Sequence, residues 1–221
     1  MTTPSGATSR TLSEAESKKF LGAVGLPLLS EHLATDPEAA GQAATAMGFP
    51  VVAKLCGEGI AHKTERGLVR LGLGDEEAVR QAASELLAEA RDEDGAVSVL
   101  VAPMVRGSRE LIAGVSRDPQ FGFTVMIGIG GVFAEALGDV SLRLLPITRL
   151  DAEEMLEDLS SQVLLGPFRG EPAIDRAAVA EVLLALSEVV ERHPEVVSVD
   201  LNPLIIVDGR PIAVDALVEV E

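Results

Sequence analysis

Three short stretches of this 221-residue sequence place charged or polar side chains beside apolar runs, and each suggests its own chemistry. The first is Lys54, which directly follows the apolar residues 50–53. Burying an unpaired ammonium group is costly, so a lysine inside an apolar strand requires a buried anionic partner. When Lys54 is considered alone, the simpler alternative is favoured. In that alternative the aliphatic part of its side chain is buried at a strand end and its ammonium group reaches water.

The second stretch is the loop of residues 57–64, GEGIAHKT. Its two glycines allow mobility and close backbone approach. His62 supplies a nucleophile that titrates near neutrality, and Lys63 supplies a cation that binds phosphate. The alternative is an ordinary surface histidine, and residue types alone leave the functional interpretation in the minority.

The third stretch contains Asp200 and Asn202, followed by Asp215 near the end of the next strand pair. Side chains two residues apart on a strand project from one face, so Asp200 and Asn202 lie together. Mg²⁺ favours such hard oxygen ligands and takes the rest of its shell from water and phosphate. The alternative is an Asx turn before Pro203, which is common. The spacing across the hairpin favours the metal site.

These groups need a folded frame, and the composition provides for one. Apolar residues make up 47% of the chain, enough for a core, and the length suits one domain with two lobes or two small domains. Capping and periodicity predict helices beginning at Ser13, Asp36 and Asp75, and over residues 151–160 and 175–193. Strands are predicted at residues 49–55, 68–73, 97–101, 110–116, 123–127, 132–136, 141–146, 197–201, 204–207 and 212–214. Hairpin turns are predicted at residues 117–122 and 208–209, and Gly48 is predicted to end the helix that begins at Asp36. The fold class is therefore α+β.

The charge balance excludes several partners. A formal net charge of −17 repels polyanions, and the absence of Trp and Tyr removes stacking platforms, so no nucleic-acid partner is expected. No apolar run approaches the roughly 20 residues that span a bilayer, so no membrane partner is expected. The single cysteine, Cys56, fits a reducing cytoplasm. Residues 1–11 are predicted to be a disordered tail.

Five motifs occur in one order along the chain. They are residues 50–54 (PVVAK), 60–67 (IAHKTERG), 110–119 (ELIAGVSRDP), 128–135 (GIGGVFAE) and 200–204 (DLNPL). Together they resemble the ATP-grasp region of ADP-forming (NDP-forming) acyl-CoA synthetases, which is related to the succinyl-CoA synthetase beta subunit. The resemblance covers nearly the whole ordered chain. It implies two α+β lobes with a nucleotide cleft between them: an N-terminal lobe at residues 12–104 with the histidine loop, and a C-terminal lobe at residues 105–221 with metal-binding strands.

The resemblance also implies an activity, acid + CoA + ATP = acyl-CoA + ADP + phosphate, with ATP/ADP and Mg²⁺ as cofactors. His62 would carry the phosphoryl group on a mobile loop, and Lys54 would hold nucleotide phosphates. Asn202 and Asp215 would hold Mg²⁺, with Asp200 supporting them. No CoA-binding half is present in the sequence, so the implied partner is a CoA-binding alpha subunit or domain, within a homo- or hetero-oligomer.

Residues 99–105 would link the lobes and present backbone groups to adenine, beside Ala102. Pro103 has no N–H, so the donor is expected at Met104 or Val105. Glu110 would bind ribose hydroxyls, although a surface strand carboxylate is almost as good an interpretation. Residues 128–131 would approach phosphates or form a plain turn.

Two departures from the family pattern bear on these roles. Relatives often carry Gln where this chain has Ala102, and many have Gly-Gly where it has Gly67 and Leu68. The first removes a side-chain contact to the nucleotide, and the second bears on loop mobility. The segment around Arg169 and Gly170 also resembles the family, but the sequence assigns it no role.

Two other functions remain open at this point. One is a non-catalytic module that senses adenine nucleotides. The other is a carboxylate–amine ligase of the ATP-grasp class, whose acyl phosphate chemistry has no need of His62.

Overall fold

The computed structural model describes residues 9–60, 63, 65–131 and 138–221. Its strands are β1 (Arg10–Thr11), β2 (His32–Ala34), β3 (Val51–Gly57), β4 (Val69–Leu73), β5 (Val97–Pro103), β6 (Glu110–Asp118), β7 (Gly122–Ile129), β8 (Val140–Leu144), β9 (Val196–Val207), β10 (Arg210–Ala213) and β11 (Leu217–Val220). Its α-helices are α1 (Glu14–Gly22), α2 (Pro37–Met47), α3 (Glu76–Ala88), α4 (Arg149–Glu157), α5 (Gln162–Leu165) and α6 (Arg176–Arg192), and Asp92–Asp94 forms a 3₁₀ turn.

The chain separates into two compact units, each with its own antiparallel sheet. One unit comprises Ser13–Lys19 and Leu28–Arg106, and its sheet has the strand order β2-β5-β3-β4. The other comprises Met1–Leu12, Phe20–Pro27 and Gly107–Glu221, and its sheet has the order β1-β11-β9-β6-β7-β8, with β10 also paired to β9. The predicted α+β class is confirmed. Within the described ranges, no helix has both the length and the apolar character needed to cross a membrane.

In the four-stranded unit, local capping signals define the helices as the sequence predicts. The Asp36 carboxylate accepts the Ala39 N–H at 2.8 Å, and α2 ends at Gly48, which has a φ of 86°. Glycine adopts that backbone angle without a Cβ clash, so it stops the helix there. The Asp75 carboxylate caps α3 in the same way. Both helices contact one another, and their buried side chains share a core with β3 and β5.

Strand β3 is buried along its whole length and has two different faces. Its residues Val51, Ala53 and Leu55 belong to the core shared with α2 and α3. Side chains alternate along a strand, so Lys54 and Cys56 lie on the opposite face. There Cys56 packs with Leu100 and Ala102, and Ala15 of α1 covers them. This alternation places Lys54 on the side where α1 begins.

In the seven-stranded unit, one helix supplies most of the cover. Buried residues of α6 contact β6, β7, β9 and β10, and α4 packs against α6 and β8. The predicted hairpin of β6 and β7 is confirmed, with antiparallel register from Leu111↔Ile129 to Asp118↔Gly122. The predicted hairpin turn at Asp208 and Gly209 also joins β9 to β10.

The separation predicted between residues 201 and 204 is wrong, because Val196–Val207 forms one continuous strand. On the β6 side, Leu204 pairs with Leu111 and Leu201 with Ala113, so two residues of β9 face one residue of β6. A bulge of this kind accommodates Pro203, which has no N–H to donate to the ladder.

Several short elements differ from the prediction or lie beyond it. Arg10 and Thr11, the end of the predicted tail, pair with Val220 and Glu219 of β11. Strands β1, β2 and β11 and helix α5 have two to four residues, too few to show a periodic pattern. The rest of the predicted tail, residues 1–8, and the predicted strand at residues 132–136 lie outside the described residues.

The base of the histidine loop has a close backbone contact that makes one glycine sensitive to substitution. A Cβ at Gly59 would lie 2.2 Å from the Glu93 carbonyl oxygen, whereas a Cβ at Gly74 would meet nothing within 4 Å. We expect Gly59→Ala to lower the free energy of unfolding by about 2 kcal/mol or more, since backbone must move to admit the methyl group. Gly74→Ala is the matched control and should change it by under about 0.5 kcal/mol. Urea denaturation measures both, and equal losses would contradict the contact.

Candidate functional site

The buried anionic partner that Lys54 requires is Glu14, in the first turn of α1. The Lys54 ammonium group lies 2.7 Å from Glu14 Oε1, and Lys18 lies 3.0 Å from the same oxygen. Lys63 lies 2.9 Å from the other oxygen, Oε2. Glu14 is 0% exposed, and each lysine is under a tenth exposed. Lys18 also pairs with Glu31. We call these five residues the Glu14 cluster.

The cluster keeps Glu14 ionised despite its burial. Burial alone raises the pKa of a carboxyl group, but the ammonium groups of Lys54, Lys63 and Lys18 outweigh it and lower the pKa of Glu14 from 4.5 to about 2. Glu31 behaves differently, because burial raises its pKa more than Lys18 lowers it. Burial lowers the pKa of Lys18, but Glu14 and Glu31 overcome this and raise it. With all five groups charged, the Glu14 cluster carries one net positive charge.

The predicted phosphoryl carrier, His62, lies outside the described residues, as do Ala61 and Thr64. Its described neighbours on either side are both buried: Ile60 is 2% exposed and Lys63 is 6% exposed. The Lys63 carbonyl oxygen also accepts the Leu68 N–H at 2.9 Å. The sequence offers Lys63 as a phosphate-binding cation, and the structure places it on Glu14 instead.

A second ion pair holds the far end of this loop. Arg66 donates two hydrogen bonds to the Asp94 carboxylate, at 2.6 and 2.9 Å. These bonds lower the pKa of Asp94, which also accepts the Arg91 N–H. The Gly59 N–H donates to the Asp94 carbonyl oxygen at 3.3 Å, so the 3₁₀ turn contacts both ends of the loop. Gly67 has a φ of 70°, which favours glycine there, and Leu68 is 1% exposed in the core.

The predicted adenine-binding stretch leaves the sheet after β5. Ala102 pairs with Val52 and is 3% exposed, on the face of the sheet that carries Lys54. The Met104 N–H donates to the Pro50 carbonyl oxygen at 3.0 Å. Because that donor is engaged within the unit, Val105 is the better candidate of the two to donate to a base.

The structure places the three predicted metal ligands on neighbouring segments of one sheet. Asp200 and Asn202 are exposed on β9, with buried Leu201 between them, so they share a face. Strand β10 pairs up to Ala213↔Leu204 and β11 resumes at Leu217↔Asp200, so counting along the two segments puts Asp215 level with Asn202. The Asp215 carboxylate accepts the Ala216 N–H at 2.9 Å. The Val214 N–H donates to the Pro203 carbonyl oxygen at 3.2 Å, which ties the two segments together.

The donor set suits magnesium rather than a softer metal. Two carboxylates and one amide oxygen leave room for water and phosphate, as Mg²⁺ requires. No group of three or more His, Cys, Asp or Glu residues with the geometry to hold a metal occurs in the part of the chain that the structure describes. This site would therefore depend on Asn202 and on oxygens from outside the chain.

Glu110 is the first residue of β6 in the seven-stranded unit, and it pairs with Ile205 of β9. Its carbonyl oxygen accepts the Gly130 N–H at 2.8 Å. Gly131 has a φ of 83°. A Cβ atom added there would still lie 3.9 Å from the Glu110 carboxylate, so there is open space beside that carboxylate. Glu110, Gly130 and Gly131 line a cavity of about 360 Å³ together with Phe168 and Arg169.

Arg109 has a structural role that the sequence did not indicate. It is 4% exposed and donates to the carbonyl oxygens of Leu164, Gly166 and Pro172, at 3.1, 2.9 and 2.6 Å. It therefore holds the segment that carries Arg169, a non-glycine residue with a φ of 48°. In the four-stranded unit, the sequence analysis also missed Glu14 as the partner of Lys54. One signal was available: Lys18 follows Glu14 by four residues, and side chains at that spacing on a helix can form an ion pair.

Comparisons with known proteins agree with this architecture. The sequence matches the ATP-grasp domain family over residues 5–220. It is 35% identical over 213 residues to the ADP-forming acetate–CoA ligase I subunit beta of Pyrococcus furiosus, covering 95% of this chain and 92% of that one. It is 38% identical over 208 residues to the ADP-forming acetate–CoA ligase I of Archaeoglobus fulgidus, covering 89% of this chain but 30% of that protein.

A solved structure is similar along almost the whole chain. It is the dinucleotide-forming acetyl-coenzyme A synthetase 1 of Ca. Korarchaeum cryptofilum, with a TM-score of 0.82 and 36% identity over 96% of this chain and 93% of that one. That protein is in complex with coenzyme A and Mg-AMPPCP, and its phosphohistidine segment points towards the nucleotide-binding site.

Two units with separate antiparallel sheets, in a chain that matches the ATP-grasp domain over residues 5–220, define an ATP-grasp protein. The chain belongs to the ATP-grasp domain family, in the branch that includes the beta subunits of ADP-forming acyl-CoA ligases.

The Glu14 cluster makes stability depend on pH with a definite sign. A lowered folded pKa gives a stabilising contribution that is present above the unfolded pKa and lost as pH falls from 4.5 to about 2. The difference in free energy of unfolding between wild type and Glu14→Gln should be about 3 kcal/mol near pH 7 and should shrink below pH 4.5. Urea denaturation at pH 3 to 7 measures it.

Glu31→Gln is the matched control, because the pKa of Glu31 is raised. The contribution of Glu31 to stability is present below its unfolded pKa and is lost as pH rises. The difference in free energy of unfolding between wild type and Glu31→Gln should therefore grow as pH falls, opposite to the difference for Glu14→Gln. A Glu14→Gln difference that stays constant from pH 7 to pH 3 would contradict the charge assignment of Glu14.

Proposed function

We propose that this chain is the nucleotide-binding, phosphoryl-transfer subunit of an ADP-forming acyl-CoA synthetase, an acid–thiol ligase. The overall reaction is acid + CoA + ATP = acyl-CoA + ADP + phosphate. The observation that carries the proposal is the exposed pair Asp200 and Asn202 opposite Asp215, in a chain similar to a whole beta subunit of such a ligase.

In the seven-stranded unit, oxygen atoms of β9 and of the segment after β10 would hold the metal. Asn202 and Asp215 would bind Mg²⁺, and Asp200 would support them or share that role. When bound, Mg²⁺ neutralises phosphate charge during transfer. Glu110 accepts hydrogen bonds from ribose hydroxyls beside Gly130 and Gly131, whose small size leaves space there.

In the four-stranded unit, Lys54 binds nucleotide phosphate and Val105 presents its N–H to the base. The net positive charge of the Glu14 cluster attracts a polyanion locally, although the whole protein carries a formal charge of −17. Ala102 presents only a methyl group where relatives often have Gln, so its side chain gives the base no hydrogen bond.

His62 acts as the phosphoryl carrier of this reaction. Its neutral imidazole attacks phosphorus, the bond from phosphorus to the donor oxygen breaks, and the donor leaves with that electron pair. In one direction the donor is ATP and ADP leaves. In the other direction the phosphoryl group arises from acyl phosphate on the companion, and ADP accepts it from His62. The phosphohistidine segment of the Korarchaeum synthetase supports this assignment.

The acyl and CoA chemistry belongs to a companion subunit or domain. The chain spans 92% of the Pyrococcus beta subunit but only 30% of the single-chain Archaeoglobus ligase, which supports a division of labour between two parts. The partner is a CoA-binding alpha subunit or domain, and the assembly works in the cytoplasm, in line with the single cysteine.

Two other functions make different predictions. A nucleotide sensor would bind MgATP but would leave His62 unphosphorylated. A carboxylate–amine ligase would turn over without His62. The similarity to ligases that are named for CoA favours the relay over both.

Nucleotide binding tests the two sets of ligands separately. We expect Lys54→Ala to weaken MgADP binding at least about tenfold, and Asp215→Ala to raise the Mg²⁺ concentration needed for binding about tenfold, since charged contacts to phosphate or metal are lost. Isothermal titration calorimetry measures both. Lys19→Ala, at an exposed helix position, and Glu188→Ala, at a partly exposed one where the side chain pairs with Arg192, are the controls and should bind like wild type. Unchanged affinity in Lys54→Ala would refute its role.

A label test addresses the relay. Incubation with Mg²⁺ and γ-³²P-labelled ATP should place acid-labile, alkali-stable phosphate on the wild-type chain and none on His62→Asn, because the imidazole is the acceptor. His32→Asn, which alters an exposed histidine, should be labelled like wild type. Label that persists in His62→Asn would overturn the assignment of His62, and complete absence of label from the wild type together with its partner would favour the sensor.

A further inference from the structure

We propose that Arg169 binds the phosphate group attached to the ribose of the nucleotide, in the cavity that Arg169 and Glu110 line together. The inference rests on the proposed function, because that function assigns the ribose to Glu110. It concerns a residue to which the sequence assigns no role. The juxtaposition behind it lies wholly within the seven-stranded unit, where one cavity of about 360 Å³ has both residues on its wall.

Arg169 occupies the tip of a tight two-residue turn. The Glu171 N–H donates to the Phe168 carbonyl oxygen at 2.9 Å, and the Phe168 N–H donates to the Glu171 carbonyl oxygen at 3.2 Å. The two residues between them have positive φ angles, 48° for Arg169 and 86° for Gly170. Turns of type I′ require two such angles and favour Asn, Asp or Gly at the first position. The turn itself therefore does not call for an arginine side chain.

The buried side chain of Arg109 fixes this turn beside the start of β6. Its guanidinium group donates to main-chain carbonyl oxygens on both sides of the turn, at distances of 2.6 to 3.1 Å. Arg109 directly precedes Glu110 in the sequence. One buried side chain thus holds the base of the turn close to Glu110, and the position of Arg169 relative to that carboxylate is set by the fold.

The guanidinium group of Arg169 is oriented by a ring rather than by a carboxylate. It lies 5.3 Å from the centroid of the Phe168 ring, within the range of a cation–π contact. Most arginines of this acidic chain pair with a carboxylate, but within the described ranges Arg169 does not. The nearest carboxylate in sequence, Glu171, pairs with Arg109 at 3.2 Å. The N–H donors of Arg169 therefore remain available to an anion.

The space and the charges of the cavity suit a ribose that carries a phosphate. Its volume lies within the roughly 300–1,000 Å³ of small-molecule sites, and Gly130 and Gly131 leave it open beside Glu110. A carboxylate accepts hydrogen bonds from hydroxyl groups and repels phosphate, whereas a guanidinium group only donates and matches phosphate oxygens. Glu110 and Arg169 together therefore orient the ligand, with its hydroxyl groups at Glu110 and its phosphate at Arg169.

The test compares three ligands without Mg²⁺, so that the side chains alone contact the phosphate. NMR titration gives the Kd of ADP, AMP and adenosine, even where binding is weak. We expect Arg169→Asn to weaken ADP and AMP about tenfold each, since a charged hydrogen bond to their shared phosphate is lost. Adenosine has no phosphate and should bind to both proteins alike. Arg169→Lys, which keeps the charge but not the fork of donors, should recover part of the loss.

Thermal unfolding separates binding from a structural role. Asparagine adopts positive φ more readily than arginine, so Arg169→Asn should unfold at the wild-type temperature or above it. Arg210→Asn is the matched control, because it removes one positive charge from the same unit at a residue that lines a different cavity, and it should bind ADP like wild type.

Three results would overturn the proposal. One is wild-type affinity of Arg169→Asn for ADP. Another is a loss for ADP with none for AMP, which would assign Arg169 to an outer phosphate. The third is earlier unfolding with an equal loss for adenosine, which would make its role structural.

The outcome is separable from that of the proposed function. If His62 never acquires phosphate but Arg169→Asn weakens ADP and AMP alike, the relay fails and the phosphate contact stands. If His62 is labelled from ATP but Arg169→Asn binds ADP like wild type, the relay stands and this inference fails.

Discussion

The burial of one carboxylate among three ammonium groups is the constraint on which the four-stranded unit depends. None of the three lysines is more than a tenth exposed, and each would be costly to bury alone. Glu14 makes their burial acceptable by forming an ion pair with each of them, and Glu31 adds a second negative charge beside Lys18. The five residues of the Glu14 cluster therefore keep a local net positive charge within a strongly acidic protein.

Much of the fold could be predicted from the sequence, because local chemistry encodes it. The cap at Asp36, the stop at Gly48 and the hairpin of β6 and β7 follow from residue types at fixed spacing, and all are confirmed. The very short strands escaped prediction because pairing with a neighbour, rather than periodicity, defines them. The strand β9 was divided in two because Pro203 normally interrupts a ladder, and only the bulge of β9 opposite β6 explains why it does not.

The candidate site was predictable to a different degree. Alternation along a strand correctly placed Asp200 and Asn202 on one face, since that rule needs no knowledge of tertiary structure. The favoured interpretation of Lys54 alone, with its ammonium group in water, is wrong, because Lys54 is buried and pairs with Glu14. Glu14 lies 40 positions away in sequence, and no local rule identifies it as the partner. The engagement of the Met104 N–H by Pro50 likewise depends on how β3 and β5 meet. The roles of His62, Lys54 and the oxygen ligands remain predictions.

The gap between β10 and β11 has a consequence for how this protein tolerates length changes. Both strands lie along the same edge of β9, and only residues 214–216 separate them. Because each strand keeps its own register, an insertion of one residue in this gap would leave both ladders paired yet turn Asp215 away from Asn202. This chain therefore faces a stricter limit on length at this point than in its surface turns, and a variant altered there would be a folded protein whose proposed metal ligands no longer meet.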